Sequence, residues 1–160
     1  MWTPDKHTVL EAETLARYLG SPERTVRVRG FELAIDRLAI EGRSATAQCS
    51  IVAPRPEAGK RLQVPAAAAV GLVTSAASAH AWYLNEREDE QGEGYLEDVN
   101  LNACAVVDPN EMELRLELIA RAAVPASGQR QSARTRYKWR VDLGNGNWFG
   151  TIALGFPFLG

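Results

Sequence analysis

Hydrophobic and polar positions alternate with period two over most of the chain, and one long stretch breaks that rule. Residues 26–40 read as a strand, with Phe31, Leu33 and Ile35 alternating against Glu32, Ala34 and Asp36. The phase differs before it, at Val26 and Val28, and after it, at Leu38 and Ile40. Such a strand carries irregularities, and Gly30 is the natural place for a bulge. Glu41-Gly42 turns the chain. Residues 44–52 then put Ala45, Ala47, Cys49 and Ile51 on one side and Ser44, Thr46, Gln48 and Ser50 on the other, which completes a hairpin. Further strands are predicted at about 95–107, 111–123, 134–143 and 147–158. Gly144-Asn145-Gly146 joins the last two, because Asn-Gly tolerates the positive φ of a tight turn.

The exception is Pro65 to Leu84. Proline suits the first turn of a helix and alanine is the strongest helix former, so this stretch predicts one helix about 30 Å long. Its residues are small nearly all round, which marks a buried helix that neighbouring backbone approaches closely. A shorter helix is predicted over 8–19, with Ala12, Leu15, Ala16 and Leu19 at helical spacing. Thr8 and Glu11 form its capping box, and Gly20 and Pro22 stop it. One long small-residue helix needs an apolar sheet around it. The expectation is an α+β fold in a single domain over 1–160. Residues 1–22 form a helical extension, and a curved antiparallel sheet wraps the central helix.

Composition narrows the classes. The chain has 160 residues, 46% hydrophobic and 24% charged, with a net charge of −2. These values suit a globular domain and argue against a basic nucleic-acid-binding protein. Two cysteines, Cys49 and Cys104, make neither a zinc pattern nor a disulfide scaffold, and read as buried free thiols. The start Met1-Trp2-Thr3-Pro4-Asp5-Lys6 lacks the form of a signal peptide, and the alanine-rich helix is too weakly hydrophobic to span a membrane. The expected location is cytoplasmic. The acidic run 86–98 lacks the ligand spacing of an EF-hand and reads as a solvated loop. No metal or cofactor is expected.

The order of elements resembles the hotdog superfamily of acyl thioesterases and hydroxyacyl dehydratases, and more narrowly the FcoT-like long-chain acyl thioesterases. The stretches that carry the resemblance are Phe31-Glu-Leu-Ala-Ile-Asp36, the helix Ala66–Leu84 and the terminal hairpin Lys138 to Leu154. It covers roughly residues 24–158. The resemblance implies a hotdog fold, a homodimer or higher homo-oligomer with its ligand channel at the dimer interface, and an acyl-CoA or acyl carrier protein substrate. No membrane partner is expected, because the alanine-rich helix is too weakly hydrophobic. Two departures stand out. Hotdog dehydratases carry a histidine before the central helix and a carboxylate within it; Arg61-Leu-Gln-Val-Pro65 has no histidine, and no Asp or Glu occurs from Val64 to Leu84. An FcoT-like enzyme is expected to use polar side chains instead, with Ser75 the nearest match.

Several groups could carry such chemistry, each with a plainer structural reading. Thr74, Ser75 and Ser78 share a helix face and could hold a thioester carbonyl, or simply bond back to the preceding turn. His80 could act as general base or favour the helix C-terminus. Asp98, Asn100 and Asn102 share one strand face, lining either a polar channel or a solvated surface. Asp98 is the best carboxylate for activating water. Arg134, Arg136, Lys138 and Arg140 form a basic row that could receive coenzyme A phosphates or an acidic carrier. Cross-strand pairing with the acidic row Glu111, Glu113 and Glu117 explains both rows without a ligand. The alternatives to hydrolysis are a dehydratase or hydratase, and a non-catalytic acyl-binding protein.

Overall fold

The computed structural model of the protein describes residues 2–19, 25–55, 57, 60–86, 94–128 and 133–157. Its elements run β1 (His7–Leu10), α1 (Ala12–Leu19), β2 (Thr25–Val28), β3 (Phe31–Glu41), β4 (Ser44–Ala53), α2 (Ala66–Leu84), β5 (Tyr95–Asn102), a 3₁₀ turn (Pro109–Glu111), β6 (Glu113–Val124), β7 (Arg134–Leu143) and β8 (Trp148–Phe156). The strands make one antiparallel eight-stranded sheet in the order β1-β3-β4-β6-β7-β8-β5, with β2 also paired to β3. The hairpin β3–β4 opens one side. Helix α2 then carries the chain to the far edge, where β5 lies beside β8. Among the described residues no helix is long and apolar enough to cross a membrane.

The period-two pattern decides which face turns inward. Leu33, Leu38, Ala47, Leu114, Leu116, Tyr137, Trp139, Ile152 and Leu154 are buried, and they come from alternate positions of neighbouring strands. They close on α2, most of whose residues are buried as well. Small side chains allow that close approach: a Cβ on Gly71 would sit 2.8 Å from Cγ1 of Val26 on β2. Helix α1 covers α2 further along, through buried Leu15 and Tyr18, with the Tyr18 ring edge-on to Tyr83.

Three sequence expectations need correction. The stretch 8–19 is not one helix. His7–Leu10 pairs with Leu38–Glu41 as a short strand, and α1 begins only at Ala12, so Thr8 is a strand residue rather than a cap. The free edge of β3 outweighs the local capping pattern. Gly30 is not a bulge. Arg29 and Gly30 both have positive φ, and Val28 pairs with Phe31, so they form the two-residue turn of a separate hairpin. The irregularity in β3 lies instead between Ile35 and Arg37, and it resets the phase from Leu33 and Ile35 to Leu38 and Ile40. The cysteines differ from each other: Cys49 is buried and Cys104 is exposed, and both are free. Most of the acidic run, Arg87 to Glu93, lies outside the described residues.

Candidate functional site

The N-terminus of α2 is the first feature with chemical potential. Pro65 stands at the cap and supplies no side-chain hydrogen bond, and the first turn holds no acidic residue. Ala66 and Ala67 are exposed. The first amides of a nineteen-residue helix therefore have no side-chain cap, at the positive end of its dipole. Of the three hydroxyl residues, Thr74 and Ser78 are buried and Ser75 is half-buried. Ser78 Oγ accepts a hydrogen bond of 2.9 Å from the Gly94 amide, which ties α2 to the entry of β5. Ser75 is thus the least buried of the three.

The segment leading into α2 is held by a side chain that sequence reasoning missed. Asn147, in the β7–β8 turn, is fully buried. Its Oδ1 accepts from the Val64 amide at 3.2 Å and from Gln63 Nε2 at 3.3 Å. Its Nδ2 donates to the carbonyls of Leu62 at 3.1 Å and Ala105 at 2.9 Å. Trp148 adds an indole hydrogen bond of 2.6 Å to the Val64 carbonyl. The available signal was Asn-Gly-Asn-Trp itself, where the turn chemistry accounts for Asn145 and leaves Asn147 unused.

His80 is fully buried and both ring nitrogens are engaged. The Trp139 indole N–H lies 3.1 Å from Nδ1, and Nε2 lies 2.9 Å from the Gly42 carbonyl. An indole N–H can only donate, so Nδ1 accepts and the proton sits on Nε2, donating to Gly42. Burial pushes the His80 pKa down to about 4, only partly offset by the hydrogen bond to Gly42. The ring is a neutral brace between α2, β7 and the β3–β4 turn. It has no nitrogen open to a substrate.

That brace has a pH signature. An unfolded histidine titrates near ~6.5. Between there and about 4 the unfolded chain takes up a proton that the folded chain refuses. His80 therefore contributes full stability above about pH 6.5, and the contribution is lost as pH falls toward 4. The total is on the order of 3 kcal/mol. Urea unfolding at pH 7, 6 and 5 should show the free energy dropping by more than ~1 kcal/mol over that span. A flat profile would contradict the neutral brace.

The polar residues of β5 sit elsewhere. Asp98, Asn100 and Asn102 pair with Ala153, Thr151 and Phe149 of β8. The alternate positions Ile152 and Leu154 turn to the core, so the three face away from α2. Asn102 Nδ2 approaches Asn100 Oδ1 at 3.4 Å. All three are exposed, the solvated-face reading, and the structure does not bring Asp98 together with Ser75.

The basic row lies on the same outer face, and its three arginines are paired. Arg140 meets Glu117 across the β6–β7 ladder at 2.9 Å. Glu113 bonds Arg115 at 3.0 Å and Gln48 at 3.2 Å, and these bonds hold its carboxyl below the usual range. The partner of Arg134 and Arg136 is one that sequence did not suggest. Glu97, set off by the irregularity in β5, takes an ion pair from Arg134 and lies 3.4 Å from Arg136. It reaches across β8 because Gly155 has no side chain: a Cβ there would lie 3.0 Å from Glu97 Cδ and 3.1 Å from Arg134 Cδ. Lys138 lies between Ala120 and Ala153.

Burial raises the Cys49 thiol to about 12, so it is no nucleophile at neutral pH. Among the described residues no cluster of three His, Cys, Asp or Glu could hold a metal ion. Three hollows, of about 440, 510 and 260 Å³, open on the outer face, and none is lined by a predicted site residue. No protein-family model, curated protein or solved structure matches the chain.

Proposed function

We propose that the protein is a hotdog-fold hydrolase of fatty acyl thioesters, carried on coenzyme A or an acyl carrier protein. The observation that carries this reading is topological. A small-residue helix crosses from the β3–β4 hairpin to the far edge, inside a sheet ordered β3-β4-β6-β7-β8-β5. That is the arrangement the hotdog resemblance implies.

The edge strand supports pairing of two copies. Leu96 and Val99 of β5 share the inner face with Leu154 and Ile152, yet they are 47% and 39% exposed. Strand β5 also has no neighbour on its far side among the described strands. A second β5 would continue the sheet and cover these side chains. The acyl chain would then lie at this interface, along the exposed part of α2.

In the reaction, water adds to the thioester carbonyl. The Ser75 hydroxyl stabilises the oxyanion; the uncapped α2 amides, about 10 Å or more along the helix, do not reach the same atom. Collapse expels the thiolate, which takes a proton, and leaves the fatty acid. Asp98 lies on the outer face, and a second β5 that continues the sheet keeps it there, so the water proton passes to solvent. Thr74 and Ser78 shape the helix, Asn100 and Asn102 flank Asp98, and Arg134, Arg136 and Lys138 offer charge to the carrier. His80 has no part in proton transfer.

One observation favours a second reading. Helix α2 carries no carboxylate, which suits a non-catalytic acyl-binding protein. A dehydratase fits less well, lacking both its histidine and its helix carboxylate. Thiol release separates these readings. Ser75→Ala should slow hydrolysis about a hundredfold while acyl-CoA binding persists, and Asp98→Asn, on the outer face, should leave the rate unchanged. An unchanged rate in Ser75→Ala would remove that residue from the mechanism.

A further inference from the structure

The three hollows are parts of one trough. Ser44–Thr46 line both the first and the third, and Arg140–Asp142 line both the second and the third. The trough crosses the outer face from β1 to β8. Two transverse rows of side chains lie along it. One runs Val9, Ala39, Thr46, Arg115, Asp142, Phe149. The next runs His7, Glu41, Ser44, Glu117, Arg140, Thr151.

At the centre these rows make a square of alternating charge: Arg115 beside Asp142, and Glu117 beside Arg140. Apolar side chains flank it, with Val9 45% and Phe149 41% exposed. The square is its own complement. For a two-fold axis lying along the strands between β6 and β7, Arg115 meets the partner subunit's Asp142, and Glu117 meets the partner subunit's Arg140. On the same operation Thr46 meets the partner subunit's Phe149, so an aromatic ring faces a small side chain. No like charges of the square are opposed.

We propose that the outer sheet face packs against the same face of a second copy of this chain. Aligned face-to-face packing of two sheets, about 10 Å apart, is an ordinary arrangement for twisted sheets. Seven strands about 4.8 Å apart give a face about 30 Å wide, so the ~800 Å² per partner of a standard interface needs about 27 Å along the strands. That is within the ten-residue length of β7. This interface is distinct from the β5 edge and does not depend on the proposed activity.

Sedimentation equilibrium on the full chain tests it. The wild type should associate, and Arg140→Glu or Glu117→Arg should each raise the dissociation constant by at least about tenfold, halving the mass at intermediate concentration. The double exchange Glu117→Arg with Arg140→Glu again sets opposite charges against each other across the axis and should restore association. Circular dichroism checks that each variant is folded. If β5 also pairs, the step runs from tetramer to dimer; otherwise it runs from dimer to monomer. A wild-type monomer, single variants that associate like wild type, or a double exchange as weak as the singles would each overturn the proposal.

Discussion

Gly150→Ala is expected to lower the unfolding free energy by at least about 3 kcal/mol and to detach the edge strand. Gly150 has a φ of 149°, which L side chains rarely adopt. Its position is also crowded. A Cβ there would lie 1.8 Å from the Asn100 carbonyl oxygen and 2.9 Å from its carbon. Both obstacles are backbone, so no side-chain rotation relieves them. Strand β5 must move away from β8, which costs the pairs Asn100 with Thr151 and Leu101 with Gly150. Gly128→Ala is the control. Its φ of 61° carries a similar backbone penalty, but nothing lies within 4 Å. Urea unfolding should place Gly128→Ala within about 1–2 kcal/mol of wild type and Gly150→Ala well below it. Equal losses would show that the steric contact does not matter.

Asn147→Ala should cost about 2–4 kcal/mol, because the side chain serves the buried Val64 amide, which has no substitute, and the Ala105 carbonyl. The Leu62 carbonyl keeps its hydrogen bond from the Val107 amide at 2.8 Å. The Val64 amide and the Ala105 carbonyl lose the partner that Asn147 gives them. Each unsatisfied group costs about 1–3 kcal/mol, and the vacated volume adds to that. Asn147→Asp should be at least as damaging, since it turns a carboxylate oxygen toward two carbonyls that need a donor. Hydrogen exchange gives a sharper reading than global stability. The Val64 amide should lose protection by at least tenfold relative to the core of β7. Retained protection at Val64 would mean that Trp148 alone holds the entry to α2.

Much of the fold was legible because burial imposes simple periods. The strands of the terminal hairpin and the helix 66–84 could be read from alternation and alanine content. What failed failed at edges. His7–Leu10 is amphipathic enough for either structure, and only the open side of β3 makes it a strand. Arg29-Gly30 was hidden because arginine is an unusual choice for a positive φ, so Gly30 alone looked like a bulge.

The candidate site was less legible, since sequence shows side-chain types and not the directions in which they converge. Period two placed Asp98, Asn100 and Asn102 together, but not on which side of the sheet. The basic row was foreseen along with part of its pairing to Glu117. Glu97 was not foreseen, because it lies two strands from Arg134 in the sheet and its reach depends on the missing side chain at Gly155. His80 drew notice as a titratable group on the helix. Its role turned on Trp139, 59 residues away.

The central claim is that this chain cleaves acyl thioesters. Thiol release from short-, medium- and long-chain acyl-CoAs and acyl carrier proteins, followed by mass spectrometry, tests it most directly. The account predicts free thiol and the matching fatty acid in equal amounts, with a preference among chain lengths. Thioesters that stay intact across the panel, or that lose water without releasing thiol, would contradict it.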